Sequence, residues 1–177
     1  MGVKYFSLKL FGLLICTIST LFASEHLSVT DSIFSARIER DEWGVPHIYG
    51  KRDADVSFGL AYAHAQDDYE TMKDVVYALR GQLASIYGRN AAVNDYYVHL
   101  MNFWDMVEER YETDVPNDVK RICEGYAAGI NKFLLDFPDK KKKTFQPVTA
   151  KDIVAGFSHR MPLMFGLDGV LKKLSKK

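Results

Sequence analysis

Cysteine is nearly absent from this sequence, with only 2 cysteines among 177 residues. Cys16 lies in an apolar N-terminal stretch, and Cys123 stands alone in the middle of the chain. If the first segment is removed, a single thiol remains and no internal disulfide can form. This excludes the disulfide-rich class of small secreted proteins, so the packing of apolar side chains must hold the fold together.

An excess of charge of either sign is also lacking, because 23 basic residues balance 23 acidic ones. Removing residues 1–23 takes away Lys4 and Lys9 and no acid, which leaves 21 basic against 23 acidic residues, a net charge of −2. Such a balance gives no reason to expect nucleic acid or an anionic membrane surface as a partner. The short lysine run at 140–143 is interpreted as a solvated connector.

One long apolar run is present, Leu10–Phe22. It is too short to cross a bilayer comfortably. Lysines precede it, and the small residues Ala23 and Ser24 follow it. This order is typical of a secretory signal peptide over residues 1–23, with an uncleaved anchor as the alternative. The mature region 24–177 is then periplasmic or secreted, with no stable membrane association after cleavage.

The mature region begins with the pattern of a β-hairpin. Phe34, Ala36 and Ile38 alternate with polar residues, the sequence DEWG supplies a turn, and residues 45–49 return. Pro46 has no N–H to donate, so it must lie on an edge strand or at a strand start. We find no further strand pattern. Because a lone hairpin is marginal in water, we expect strands from elsewhere to complete the sheet.

The rest of the chain has helical periodicity, which makes the predicted fold class α+β and mostly helical. The small residues of 54–66 suit a buried helix lying close to a neighbour. Asp53, Asp67, Asn94 and Thr149 stand at positions typical of N-caps. The predicted helices span residues 54–66, 69–81, 82–88, 95–111, 116–137 and 150–165.

Two histidines raise the question of a metal site. Asp67 and Asp68 follow His64 by one helical turn, while His47 lies on the hairpin. Helix-borne zinc sites usually show closely spaced histidine pairs, and no third ligand is evident here. We therefore predict no metal ligands and interpret both histidines as structural.

Three candidate nucleophiles are also set aside. Cys123 lies on the apolar stripe of a helix, where a buried small hydrophobe is expected. Ser158 and His159 are adjacent in a helical segment and lack the flanking glycines of a nucleophile elbow. Ser24 would become the N-terminal residue after signal cleavage, but nothing around it could build an oxyanion hole. No catalytic residue is predicted in this chain.

Several ordered motifs together resemble a known family. The stretch Ile38–Asp68 closely resembles the opening of the α chain of the penicillin acylase (penicillin amidase) family, which includes acyl-homoserine-lactone and cephalosporin acylases. The resemblance is dense from Ile38 to Phe137 and fades beyond. The matching motifs are Gly44–Ile48, Gly59–Asp68, Leu79–Gly88 and Glu124–Leu134.

The resemblance implies an N-terminal-nucleophile hydrolase. In that family a precursor cuts itself and exposes a serine at the start of a separate β chain. The serine hydroxyl attacks an amide carbonyl, and its α-amine, with a pKa of about 8, takes the proton. The implied fold is an αββα sandwich that a β chain absent here completes. Calcium is implied only for the complete enzyme, with ligands mostly on the missing chain, so no cofactor is expected in this one.

The resemblance also implies a function and a part of the substrate pocket. By position, Met161 and Phe165 would form part of the wall that contacts the acyl group, with ordinary core packing as the alternative. The leading hypothesis is the α-chain region of an amidohydrolase that cleaves the N-acyl side chain of a β-lactam, a homoserine lactone or a similar small amide. Lacking the nucleophile, this chain should be inactive alone. The rival hypotheses are a non-catalytic helical binding module and a truncated remnant.

Overall fold

The computed structural model describes residues 25–174, so the predicted signal peptide over residues 1–23 lies outside the described part. Helices dominate, and a small antiparallel sheet precedes them, which confirms the mostly helical prediction. The strands are β1 (Glu25–Thr30), β2 (Ser35–Arg40) and β3 (Pro46–Gly50). The helices are α1 (Asp53–Leu79), α2 (Ala84–Tyr87), α3 (Ala92–Leu100), α4 (Phe103–Asp114), α5 (Asn117–Asp136), α6 (Ala150–Pro162) and α7 (Asp168–Leu174). Within residues 25–174, no helix is long and apolar enough to span a bilayer.

The sheet has three strands in the order β1-β2-β3, so the prediction of a lone hairpin was wrong. β2 and β3 form the expected hairpin, and Pro46 is the first residue of an edge strand, as its missing N–H requires. β1 adds the third strand, with Leu27 opposite Ile38 and Val29 opposite Ala36. Leu27 and Val29 do alternate with polar residues, but two apolar side chains made too short a pattern to recognise.

One face of the sheet packs on α1. Ala36 and Ile38 are buried, whereas Ser35 and Arg37 are exposed and Glu39 is partly exposed. Gly59 of α1 meets this face so closely that a Cβ atom there would lie 2.6 Å from Cβ of Ala36 and 2.7 Å from Cγ2 of Ile48. The absence of a side chain at Gly59 therefore sets the distance between helix and sheet.

The opposite side of α1 packs on α5 through two more glycines. A Cβ on Gly125 would overlap the carbonyl oxygen of Ala54, and a Cβ on Gly129 would overlap that of Phe58. The two backbones are thus in direct contact. The prediction that the small residues of α1 allow close packing is confirmed, with Ala61, Ala63 and Ala65 at most 1% exposed.

The start of α1 differs by one residue from the prediction. Arg52, not Asp53, is the N-cap, and Asp55 forms the return bond by accepting from the Arg52 backbone N–H at 3.1 Å. The Arg52 guanidinium also donates to Asp55 at 2.7 and 2.9 Å. This bonding lowers the pKa of the buried Asp55 to about 2. The cap of α1 is thus built around the ion pair of Arg52 and Asp55. The residue preferences of N-cap positions alone did not predict it.

The two helices predicted before residue 81 form one run with a break. Asp68 has non-helical angles (φ −153°, ψ 69°), and its Oδ1 accepts from the N–H of Thr71 at 3.0 Å. Asp68 therefore caps the second half of α1 in place of the predicted Asp67. Gly81, with φ 65°, ends α1 as predicted, because the left-handed conformation lets Gln82 N–H reach the carbonyl of Tyr77 at 2.9 Å.

The helix predicted over residues 95–111 is divided into α3 and α4. Asn102 adopts a left-handed conformation (φ 51°) between them. Asn94 lies inside α3 and is not its cap. Its side-chain amide instead donates to the carbonyl of Ala78 at 2.8 Å, which joins α3 to α1. The residue type indicated a capping role, but the long-range bond to Ala78 determines its position.

The α1–α5 contact gives a first test of the packing. Replacing Gly129 with Ala should lower the free energy of unfolding by about 1–3 kcal/mol, because the new Cβ overlaps the Phe58 carbonyl and forces the helices apart. Gly156→Ala is the matched control, since its Cβ would lie 3.7 Å from Leu79, an ordinary contact. That control should be neutral or stabilise the protein by up to about 1 kcal/mol. Urea denaturation measures both, and equal effects would contradict the close-contact interpretation.

Candidate functional site

The hairpin turn is held by an acid and does not form a reactive cluster. The Asp41 carboxylate accepts from the backbone N–H groups of Trp43 and Val45, each at 2.9 Å. Its other oxygen lies 3.2 Å from Nε2 of His47. The bond from Val45, followed by the contact with His47, lowers the pKa of Asp41. His47 therefore supports the turn.

Arg40 joins this turn to the break in α1. Its guanidinium donates to the carbonyl of Gly44 at 2.8 Å and to the Asp67 carboxylate at 2.7 Å. The hairpin and the end of the first half of α1 are therefore held as one unit. Asp41 and Asp67 are thus both bonded to neighbouring protein groups, which favours a framework role over a catalytic one for these two acids.

The metal-site alternative finds no support among residues 25–174, where no group of three or more candidate ligands comes together. His64 instead pairs with Tyr126, its Nδ1 lying 3.0 Å from the phenol oxygen. Asp67 is engaged by Arg40, and Asp68 caps Thr71. Each of these side chains thus has a structural partner.

Two of the three discounted nucleophiles lie where the sequence predicted, and the third, Ser24, lies outside the described residues. Cys123 is buried, and its burial raises the pKa of the thiol, which disfavours the reactive thiolate. Ser158 donates to the carbonyl of Val154 within its own helix at 3.5 Å. His159 turns to a different partner, with Nε2 lying 3.0 Å from Oδ1 of Asn94. No serine–histidine pair forms here.

His159 lies among aromatic rings at the junction of α3, α4 and α6. The rings of Tyr97 and Phe103 lie 5.4 and 6.2 Å from its imidazole. Tyr97 donates its hydroxyl to the carbonyl of His159 at 3.0 Å. Because the Asn94 amide nitrogen already donates to Ala78, its oxygen accepts a hydrogen bond from the N–H at Nε2 of His159. Burial, with a smaller effect of Arg160, lowers the pKa of His159.

An apolar groove, which we call the α5–α6 groove, opens between helices of this chain. Its volume is about 620 Å³, and residues of α1, α5 and α6 form its walls. The size lies within the range of ligand and partner sites. Two charged residues, Asp152 and Arg160, also border it. Its principal apolar residues are Leu60, Val119, Ile122, Tyr126, Ile153 and Phe157.

The sequence indicated the residues of this groove but not its openness. Val119 and Ile122 belong to the apolar stripe predicted for α5, yet they are 40% and 37% exposed. α5 has a wider apolar face than α1 and α6 cover. Which part of an apolar stripe stays open depends on how three helices pack, and periodicity alone does not report that.

Met161 and Phe165, the predicted pocket residues, lie beyond the groove at the end of α6. Met161 is 49% exposed and Phe165 is 82% exposed. Phe165 lies in the irregular turn Leu163–Leu167, where it and Gly166 leave helical geometry. Their exposure contradicts the alternative of core packing within this chain. Their contact with substrate stays a prediction.

The two ends of α6 are held by different contacts. At the start, Thr149 and Asp152 form the predicted capping box. Arg80 donates to both oxygens of the buried Asp152 at 2.7 and 2.8 Å and to the carbonyl of Pro147 at 2.8 Å. The far end has a line of exposed apolar side chains instead. The base of α6 is therefore held by an ion pair, whereas its far end is held by the bonds of His159 to Asn94 and Tyr97 and exposes apolar side chains beside them.

Comparison with known proteins identifies the family. Residues 35–169 match the family model described as penicillin amidase. The chain belongs to the penicillin amidase family. The match runs from β2 to the start of α7 and so includes two of the three strands, the α1–α5 contact and the groove.

Individual relatives are acylases with two kinds of name. The chain is 28% identical over 134 residues to acyl-homoserine lactone acylase PvdQ of Pseudomonas fluorescens (strain Pf0-1), covering 68% of this chain and 17% of that protein. It is 31% identical over 111 residues to penicillin acylase 2 proenzyme of Pseudomonas sp. (strain SE83), covering 63% and 14%. The chain therefore spans less than one fifth of the length of these relatives.

A solved structure has the same fold. A chain of the thermostable penicillin G acylase from Alcaligenes faecalis matches with a TM-score of 0.63 at 24% identity. The match covers 78% of this chain and 75% of that one. The penicillin amidase resemblance drawn from the motifs is thus confirmed by sequence and by fold.

The buried His159 makes stability depend on pH. Because its pKa in the folded protein is lower than the usual 6.5, the unfolded chain binds more protons below about pH 6.5. The free energy of unfolding should therefore fall as pH drops from 7.5 to 5.5, by at most about 1.4 kcal/mol per pH unit for one proton. Urea denaturation at the two pH values measures the loss.

His159→Gln provides the control for this pH effect. Glutamine can still donate to Asn94 but does not titrate, so the variant should lose much less stability over the same interval. Carboxylates such as Asp55, with a pKa of about 2, titrate well below this window. An unchanged pH dependence in the variant would show that another group is responsible.

Proposed function

We propose that this chain is the α-chain region of a penicillin acylase-type amidohydrolase, which cleaves an acyl amide with a nucleophile located on a separate β chain. The observation that carries the proposal is the family match over residues 35–169 in a chain that spans 17% or less of its relatives PvdQ and penicillin acylase 2 proenzyme. The part of those proteins outside the match is large enough to hold the missing chemistry.

The side chains of this chain support a scaffold role. Among the described residues, Cys123 is buried, Ser158 is bonded within its helix, and Asp68 is committed to a cap. The solved penicillin G acylase chain is of similar length to this one, since the match covers similar fractions of both. A scaffold chain of this size, paired with a larger chain, accounts for both facts.

The proposed reaction is acyl transfer to a serine at the start of the β chain. The serine hydroxyl attacks the amide carbonyl as its α-amine accepts the proton, the amine product leaves, and water then releases the acid. This chain would supply strands and helices of the sandwich and, through Met161 and Phe165, part of the acyl pocket. The names of the relatives suggest a penicillin or an acyl-homoserine lactone as the substrate class.

The proposed location is the periplasm or the cell exterior. It depends on the basic, apolar and small-residue order of residues 1–24. Sequencing the N-terminus of the protein purified from its source cells tests it, because a mature chain that starts near Ser24 is expected. Recovery of the intact Met1 would contradict export by signal cleavage.

The division of labour predicts that the purified chain alone is inactive. It should not hydrolyse phenylacetyl amides, penicillin G or N-acyl homoserine lactones above the background rate, because the proposal places the nucleophile on the separate β chain. Co-expression with the polypeptide that carries the rest of the family sequence should produce turnover, measured by release of the free amine. Replacing the first serine of that polypeptide with alanine is the control and should abolish turnover. Appreciable hydrolysis by this chain alone, or a source genome with no such polypeptide, would contradict the proposal.

The pocket assignment predicts an effect of Phe165 in the active complex. Phe165→Ala should lower kcat/KM for an amide with a bulky acyl group by about 10- to 200-fold, because the apolar contact is lost. An acetyl amide, which cannot reach the same wall, should be affected much less. Val170→Ala, a change at another exposed apolar position nearby, is the matched control. Equal losses for both substrates would indicate that Phe165 supports structure and does not select the acyl group.

A further inference from the structure

The α5–α6 groove exposes apolar surface that the rest of this chain leaves uncovered. Ile122 and Val119 lie on its α5 wall, and Phe157, which is 69% exposed, lies on its α6 wall. A contiguous apolar patch of this kind marks an interaction site on a soluble protein. Its volume of about 620 Å³ is sufficient for several side chains of a partner.

The apolar surface continues along α6 beyond the groove. Met161 follows Phe157 by four residues, so the two side chains lie one turn apart on one face of α6, and Met164 and Phe165 follow in the irregular turn Leu163–Leu167. All three are exposed. The groove and the end of α6 thus form one extended surface, of which the predicted acyl-pocket residues are the outer part.

The charges of the groove favour an occupant with a carboxylate. Asp152 is neutralised by the bidentate bond from Arg80. Arg160 takes part in none of the ion pairs found between residues 25 and 174. An apolar wall with one unpaired guanidinium at its border matches a segment whose apolar side chains adjoin an aspartate or a glutamate.

The length of chain outside the match indicates which molecule supplies that segment. More than four fifths of PvdQ and of penicillin acylase 2 proenzyme lie outside the region that this chain matches. We infer that the α5–α6 groove is the docking surface for the polypeptide carrying that remaining part, which inserts apolar side chains between α5 and α6 and places a carboxylate against Arg160. This inference rests on the proposed function and adds the surface and its chemistry.

Site-directed photocrosslinking in the co-expressed complex tests the surface. Benzoyl-phenylalanine at position 122 or 157 should crosslink to the partner polypeptide, identified by mass spectrometry. Position 135 is the matched control, because Leu135 is also on α5, is 74% exposed and does not line the groove. Crosslinks at 135 as strong as those at 122, crosslinks to a second copy of this chain, or none from the groove would overturn the inference.

Charge and polarity variants test the chemistry. Ile122→Asp should weaken binding of the partner at least tenfold, whereas Leu135→Asp should leave the affinity within twofold. Arg160→Gln should slow association, with a larger effect at low salt than at high salt. The melting temperature of each variant chain alone controls for misfolding. A partner affinity unchanged by Ile122→Asp in a folded variant would overturn the docking surface.

The activity of the same complex separates this inference from the proposed function. An active complex without groove crosslinks would retain the amidohydrolase proposal and refute the docking surface. A complex that crosslinks through positions 122 and 157 but hydrolyses no acyl amide would do the reverse. Isothermal titration, photocrosslinking and an amide-hydrolysis assay on one preparation therefore give independent answers.

Discussion

The fold depends on how closely α1 can approach its neighbours on both sides. Gly59 lets the sheet rest on one face of α1, and Gly125 and Gly129 bring α5 against the backbone of the other. Any side chain at these positions would occupy space already filled by backbone or by a short apolar group. α1 is therefore the central layer of a three-layer arrangement, and its small residues fix the spacing of the layers. Because α5 forms one wall of the α5–α6 groove, the distance between α1 and α5 also affects the width of that groove.

Local signals in the sequence were sufficient for much of this architecture. The alternation of Ala36 and Ile38, the capping box of Thr149, and Gly81 at the end of α1 each depend on contacts within a few residues. Two caps of α1 were displaced by one residue, and two further predictions were wrong because they involve partners outside the local pattern. β1 is a strand because it pairs with β2, and Asn94 is placed by its bond to Ala78. A sequence pattern a few residues long contains no information about such partners.

The candidate site shows the same contrast between features set by local sequence and features set by the packing of distant elements. Among the described residues, Cys123 was expected on an apolar stripe and Ser158 within a helix, and the structure places both there. The α5–α6 groove was not predictable, since Ile122 belongs to the same apolar stripe as its buried neighbour Cys123. Only the relative placement of three helices decides which of two apolar side chains remains open. The exposed part of the apolar stripe predicted for α5 is then the most informative feature of the surface.

The break at Asp68 has a further consequence for how this family can vary. It divides α1 into two halves, of which the first packs between the sheet and α5. The second half is capped at its C-terminus by Arg80, whose guanidinium holds the base of α6. Each residue of an α-helix advances the chain by about 100° of rotation and 1.5 Å. Insertion or deletion of one residue after Asp68 would therefore rotate Arg80 away from Asp152 while leaving the first half undisturbed. The rotation of the second half of α1 relative to the first is therefore fixed. This helix tolerates substitutions more readily than insertions or deletions.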